Sequence, residues 1–243
     1  MDRDAILSQT AHRPWPLPPG PWVVEQSWRD LLFAHWPLDL NSVRARVPAA
    51  LELDSFDGRA WVSVAAFRID PFRTRGLPVQ LRFPELNLRT YVVKDGKPGV
   101  YFFSLDADSR SAVLGARALF RLNYYEAAIA FVAGTHFDFT SRRLDRPRAN
   151  FHATYRPSGQ PAIAGKGSLE EWLVERYCLY AARTSANTFR VDIHHAPWML
   201  QAAEAELNAD ELFFAAQLPA PVSPALLHFA ARTDVLTWSP QRA

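Results

Sequence analysis

Between Phe83 and Tyr125 the chain gathers the side chains best suited to chemistry. Asn87, Arg89, Tyr91 and Val93 alternate with Leu86, Leu88, Thr90 and Val92, and a repeat of two sends the two sets to opposite faces of a strand. The first face is largely polar. Its amide, guanidinium and phenol form either part of an interior polar patch or a wet sheet surface. Glu85 stands just before it. General acid or base work needs a carboxylate set against a substrate proton with a shifted pKa, and among Glu85, Asp106, Asp108 and Glu126 the first is the best candidate. Tyr124 and Tyr125 supply hydroxyls able to donate hydrogen bonds or, for one of them, to act as a weak acid. The alternative for both is packing with a satisfied hydroxyl.

Other chemistries find less support. His194 and His195 are adjacent, so on a strand they point to opposite faces and cannot chelate one ion together. No Glu or second His at helical spacing completes the three or four ligands of a zinc site. Cys178, set among Arg176, Tyr177 and Tyr180, reads either as a thiol activated by arginine or as a small buried hydrophobe. Neither common phosphate-binding glycine loop occurs, and Gly165-Lys166-Gly167 offers at most an anion-accepting helix start. No metal and no cofactor are expected.

The elements that must position these groups follow from periodicity and punctuation. Lys94-Asp95-Gly96-Lys97 carries an Asp-Gly turn signal, and Val100 to Asp106 reads as the second strand of a hairpin. Ser109 to Phe120 then has helical composition. Upstream, Trp22 to Trp36 reads as extended, Leu38 to Val47 as a short helix ended by Pro48, and Arg59 to Ile69 as a strong strand after the Asp57-Gly58 turn. Downstream, strands are expected at Ala127 to Ala133, His136 to Arg143 and Asn150 to Arg156. Ser168-Leu169-Glu170-Glu171 is a capping-box pattern for a helix reaching about Arg176. Tyr177 to Arg183, a polar turn at Thr184 to Asn187, and Thr188 to His195 form a second hairpin. Trp198 to Leu212 is mixed, helical by its alanine and glutamate content but with room for strand. Leu227 to Trp238 is a closing strand. Many short strands between turns argue for a barrel or sandwich.

The run FPELNLRTYV, then PGVYFFSLDA, then Ala116-Arg117 with Tyr124-Tyr125 following, resembles the YqjF-like family of uncharacterised bacterial proteins, domain of unknown function 2071. That group is similar to the acetoacetate decarboxylase-like superfamily. HWPLDL near residue 35, LDSFDGRAWVSVAAF, ERYCLY and IHHAPW extend the likeness from Trp28 to Trp238. Gly115 to Tyr125 resembles the decarboxylase stretch G-R-E-x-x-G-F-P-K-K, with Arg117 on its arginine, Ala118 on its glutamate, Asn123 on its proline, and Tyr124 and Tyr125 on its two lysines. The resemblance implies a closed or cone-like antiparallel barrel with a few short helices at its rim, mainly β overall. It also places Arg117 where a substrate carboxylate is approached, and a guanidinium can clamp a carboxylate through two parallel hydrogen bonds. An ion pair with Glu126 or Asp106 is the structural alternative. A phenol cannot form an imine, whereas the decarboxylase needs a lysine amine of lowered pKa. The chain has only Lys94, Lys97 and Lys166, all in or beside turns and loops, so Schiff-base decarboxylation is not expected.

Composition bounds the rest. With 49% hydrophobic residues, including eight Trp, sixteen Phe and seven Tyr, the chain can fill a large core or line an aromatic cavity. A proline-rich extension over residues 1–21 and one β-barrel domain over residues 22–243 are expected. The net charge of +2 is small and the arginines are dispersed, which argues against a nucleic-acid footprint. No apolar run approaches the roughly 20 residues of a membrane helix, and the acidic, proline-rich start is unlike a secretory signal. A single cysteine suits a reducing cytoplasm. A homo-oligomer is compatible with all of this. Two functions are in play: binding of a small carboxylate or carbonyl compound in a barrel cavity, with or without turnover, and a non-catalytic interaction domain whose core is filled by its own aromatic side chains.

Overall fold

A computed structural model describes residues 1–182 and 187–243. The chain begins with helix α1 (Arg3–Ser8), strand β1 (Val24–Leu38), helix α2 (Leu40–Arg44), strands β2 (Glu52–Leu53) and β3 (Ala60–Thr74), and then β4 (Gln80–Lys94) and β5 (Lys97–Ala107). Next come α3 (Arg110–Leu119), β6 (Tyr124–Ala133), β7 (Phe137–Arg143), β8 (Asn150–Ile163) and α4 (Leu169–Val174). Strands β9 (Cys178–Ala182), β10 (Thr188–His194) and β11 (Met199–Asn208), helix α5 (Asp210–Ala215), and strands β12 (Leu226–Thr237) and β13 (Gln241–Arg242) complete it. Arg183 and the expected turn residues Thr184 to Ala186 lie outside the described residues.

Strands β12, β1, β3, β4 and β5 lie side by side as an antiparallel wall. Both border strands then fork. β5 pairs with β9 at Val100 and Tyr101 and with β6 from Leu105 to Ala107, while β12 pairs with β11 at His228 and Phe229 and with β10 at Leu236 and Thr237. Because β9 and β10 pair with each other, the wall and these two strands close into a ring of seven. The strands β6, β7, β8 and β11 bridge the other prongs and form a second sheet over the outside of the wall.

The alternation along β4 shows how sequence serves both layers. Leu86, Leu88 and Val92 face outward into a core shared with Phe139, Phe151 and Tyr155 of the second sheet. Phe83 and Tyr91 face inward with Phe33, Phe67 and Phe102. The Asp95-Gly96 turn joins β4 to β5 with φ of 51° and 70°, the doubly positive pair that a two-residue hairpin loop requires.

The expected mainly β, cone-like architecture with few short helices is the one found, with one topological difference. The pairings of β5 with β6 and β9 are parallel. A parallel pair needs a crossover, and α3 provides it between β5 and β6. The Ser109 hydroxyl caps α3 and the Ser168 hydroxyl caps α4. The helix expected over Leu38 to Val47 shrinks to α2, capped by Asp39, whose carboxylate accepts from Ser42 N at 2.9 Å. The ambiguous Trp198 to Leu212 resolves mostly as strand, because β11 pairs with β8 from Met199 to Asn208 and a tertiary ladder outweighs local helix propensity. Residues preceding β1 pack on the ring: Ile6 is buried with Leu236 and Trp238, and Arg13 Nη1 donates to Ile193 O at 2.7 Å. No helix among the described residues is long and apolar enough to cross a membrane.

Closure of the ring depends on close approach at Gly99 of β5. A Cβ there would stand 2.7 Å from both Cys178 O and Cys178 Sγ, and 2.8 Å from the Tyr180 ring. Gly99→Ala must displace β9, at a cost of at least about 1–3 kcal/mol, the usual range for overpacking. Urea unfolding measures it, and an unchanged midpoint would contradict the tight β5–β9 seam.

Candidate functional site

The ring encloses a cavity of about 510 Å³. Its walls are strongly apolar, with Trp28, Phe33, Phe67, Phe83, Phe102 and Trp198 prominent, and its mouth is edged by Leu77 and Val79 of the β3–β4 connection and Leu119 of α3. A larger concavity of about 700 Å³ lies between α2 and the β4–β5 turn, but it is an open surface groove. The internal cavity combines enclosure with convergent polar groups, the usual character of a ligand site.

Three of those groups come from alternate, inward positions of β4: Glu85, Asn87 and Arg89. Arg89 is 8% exposed and takes part in none of the ion pairs found among the described residues. Its guanidinium lies 4.9 Å from the centre of the Phe33 ring, and its Nε has no hydrogen-bond partner. Arg176, between α4 and β9, is better held. Its Nη1 pairs with Asp54 Oδ2 at 2.7 Å and its Nε donates to Trp172 O at 2.7 Å. The guanidinium stands over the Trp172 and Tyr91 rings, while Nη2 is unpartnered. Burial lowers the Arg176 pKa.

Glu85 is 4% exposed, and burial pushes its carboxyl up to about 7 despite hydrogen bonds from Tyr124 and Asn87. The Tyr124 hydroxyl donates to Glu85 Oε2 at 2.7 Å. Burial, and then the charge of Glu85, raise the Tyr124 phenol well above its ordinary range, so it stays a donor. Asn87 Oδ1 is buried without a partner. His195 lines the cavity, and burial holds its pKa near 4, so it is neutral at pH 7.

The candidates named from sequence are therefore divided. Glu85, Asn87, Arg89 and Tyr124 line the cavity together. Tyr91 is not among the lining residues; it is fully buried, with its hydroxyl 2.7 Å from Ser63 Oγ. Arg117 does not line it. The cavity side of α3 presents Ala112, Gly115, Ala116 and Leu119, and helical geometry turns residue 117 away from that face. Its Nη2 pairs with Asp145 Oδ2 at 2.5 Å, its Nε donates to Tyr124 O at 2.8 Å, and its side chain is 41% exposed. The alternative partners fail as well, since buried Asp106 is held by Arg143 at 2.9 Å. Tyr125, adjacent to Tyr124 on β6, points away and packs under the Arg143 guanidinium at 4.2 Å.

No lysine reaches the cavity: Lys94 is near Asp95, Lys97 stands over Trp15, and Lys166 is exposed in the loop before α4. His194 turns outward to Ile6 O at 2.8 Å, opposite to His195. No cluster of three or more potential metal ligands occurs among the described residues. Cys178 is buried, and burial pushes its thiol up to about 12. Sequence reasoning missed Arg176 and His195 as lining groups. Both fall in the quoted segments ERYCLY and IHHAPW, but nothing local in those segments says which residue faces inward.

The buried Glu85 carries a pH signature. Its folded pKa, about 7, lies above the ordinary 4.5, so folding favours its protonated form. That contribution is fully present below about pH 4.5 and is lost as pH rises through about 7. Relative to the wild type, Glu85→Gln should gain stability across this interval, by up to about 3 kcal/mol at 1.36 kcal/mol per pKa unit. Urea unfolding in a pH series checks the slope, and a constant difference between the two proteins would contradict the assignment.

Set beside known proteins, the chain matches a family described as an uncharacterized conserved protein, domain of unknown function 2071, over residues 25–234. It is 49% identical over 226 residues to the uncharacterized protein YqjF of Bacillus subtilis, covering 91% of this chain and 93% of that one. Its fold is similar to acetoacetate decarboxylase from Legionella pneumophila, with TM-score 0.64 and 12% identity over 100% of this chain and 96% of the other. The enduracididine biosynthesis enzyme MppR complexed with pyruvate gives TM-score 0.63 and 12% identity, covering 95% and 93% of the two chains. Matched over most of its length, the chain belongs to the family of YqjF, which is built on the acetoacetate decarboxylase-like fold.

Proposed function

We propose that the protein binds a small organic carboxylate, or a carbonyl compound bearing one, in the ring cavity, with Arg89 as anchor and without a covalent imine. The observation that carries this reading is the buried Arg89 guanidinium with no acidic partner. An uncompensated charge taken from water costs several kcal/mol, and a ligand carboxylate would relieve that cost with charge-assisted hydrogen bonds. The unpartnered Nη2 of Arg176 offers a second donor at the same cavity. Aromatic walls favour a ligand whose remainder is apolar. MppR, which is similar in fold, has been seen with pyruvate, a compound of this class, but the residues here point to different chemistry. Tyr124 and Tyr125 stand where the decarboxylase motif has lysines, and the three lysines of this chain lie elsewhere. An internal volume of about 510 Å³ argues against a core filled by its own aromatic side chains. The lone buried thiol suits a reducing cytoplasm, and residues 22–243 act as a single ligand-binding unit on which the first 21 residues pack.

A thermal-shift screen against small carboxylates, keto acids and fatty acids tests the reading, since a ligand of the native state raises its stability by mass action. Arg89→Met should melt higher than the wild type without ligand, because a buried charge is removed, and should bind at least about 30-fold more weakly, since truncating a buried charge pair costs 2–5 kcal/mol. Arg117→Ala should retain the ligand shift. The reverse pattern, with loss in Arg117→Ala and retention in Arg89→Met, would restore Arg117 as anchor. Borohydride trapping with acetoacetate should label none of the three lysines, and an adduct at any of them would overturn the exclusion of imine chemistry.

A further inference from the structure

We propose that Glu85, positioned by Tyr124, moves a proton to and from the carbon next to a ligand carbonyl, so that the cavity enolises oxo acids. This rests on the reading of Arg89 as carboxylate anchor. The placement is set by β4. Glu85 and Arg89 both face the cavity, four residues apart, and a strand rise of about 3.3 Å per residue separates their Cα atoms by about 13 Å. Asn87 lies between them on the same face. A ligand held by its carboxylate at Arg89 therefore meets Glu85 several bonds away. That spacing suits γ- and δ-oxo acids better than short compounds whose carbonyl adjoins the carboxylate.

The local contacts supply what the step needs. The Tyr124 hydroxyl fixes the Glu85 carboxylate, and Asn87 lines the cavity beside it. In the forward step the carbon–hydrogen bond breaks, the proton passes to Glu85, and the bonding pair becomes the carbon–carbon double bond as the carbonyl oxygen takes the negative charge. Protonation of Glu85 removes the anion that Tyr124 was serving. The phenol is then free to donate to the new enolate oxygen, and return of a proton from Glu85 restores the oxo acid. No oxidant, metal or covalent intermediate enters. A carboxyl near 7 is also matched to proton transfer at neutral pH.

The probes are pyruvate, levulinate (a γ-oxo acid) and its δ-oxo homologue, each incubated with the protein in deuterated water and followed by proton NMR. Deuterium should enter the position beside the levulinate carbonyl at least about 100-fold faster than in buffer. Glu85→Gln should bring the rate down to that of buffer while keeping the thermal shift with levulinate. Tyr124→Phe should slow exchange less than Glu85→Gln does, and Glu85→Asp should keep part of it if the carboxylate itself is the base. Exchange surviving in Glu85→Gln, or levulinate binding with no exchange above buffer, overturns the proposal and leaves the carboxylate-binding reading standing. Absence of a thermal shift with every oxo acid overturns the proposal, and absence with every carboxylate of the screen removes the carboxylate-binding reading as well.

Discussion

The division of one strand edge between two partners is the constraint on which this molecule depends. β5 and β12 each present a single free edge, and each gives half of it to the ring and half to the second sheet. The ring exists because β9 and β10 reach across between the same two strands, and the second sheet exists because the remaining halves are taken by β6 and β11. Backbone groups along these edges are thus satisfied without a continuous sheet. One wall serves two cores of different character, an outer one filled by aliphatic and aromatic packing and an inner one left partly open.

The open inner core explains the unusual electrostatics of β4. A strand in a filled core has no reason to carry glutamate, asparagine and arginine on its inward face, since buried charge is costly unless paired. Elsewhere among the described residues most buried charge is paired, Arg143 with Asp106, Glu25 with Arg3 and Arg73, and Arg176 with Asp54, while buried Arg13 donates to the carbonyls of Trp15 and Ile193. Arg89 stands apart from that habit, resting on the Phe33 ring without an acid. Glu85 does not compensate it, because burial outweighs its donors and pushes its carboxyl up to about 7, only partly charged at neutral pH. Under the proposed function, the unpaired polar atoms beside the cavity are the groups that a ligand carboxylate would meet.

Much of the scaffold was legible in the sequence because its signals are local. The Asp95-Gly96 turn, the serine cap of α4, and the alternation from Leu86 to Val93 each follow from neighbours a few residues apart. The inward direction of Asn87 and Arg89 was not decidable from that alternation, because it depends on how a distant pair, β9 and β10, closes the ring. Arg117 shows the opposite failure. A motif alignment carries a residue to a position in the chain but not to a direction in space, and on α3 a shift of one residue turns a side chain by about 100°. Arg176 and His195 were hidden for a related reason, since they arrive from the ends of α4 and β10 and face the cavity only once the ring is closed. The strand β11 reads as helix by propensity and is overruled by its ladder with β8.

Under the proposed function, fold kinship and chemical kinship separate at Tyr124. A lysine at this place could offer an amine to a carbonyl, whereas the tyrosine offers a hydroxyl that Glu85 already engages at 2.7 Å. On that reading a donor and carboxylate pair stands in place of an amine nucleophile, within apolar walls. The burial that would have activated a lysine, by disfavouring its charged form, here acts on the glutamate instead and raises its pKa toward neutrality. On the proposed reading, the solvent exclusion belongs to the scaffold, and the titrating group that uses it is this chain's own Glu85.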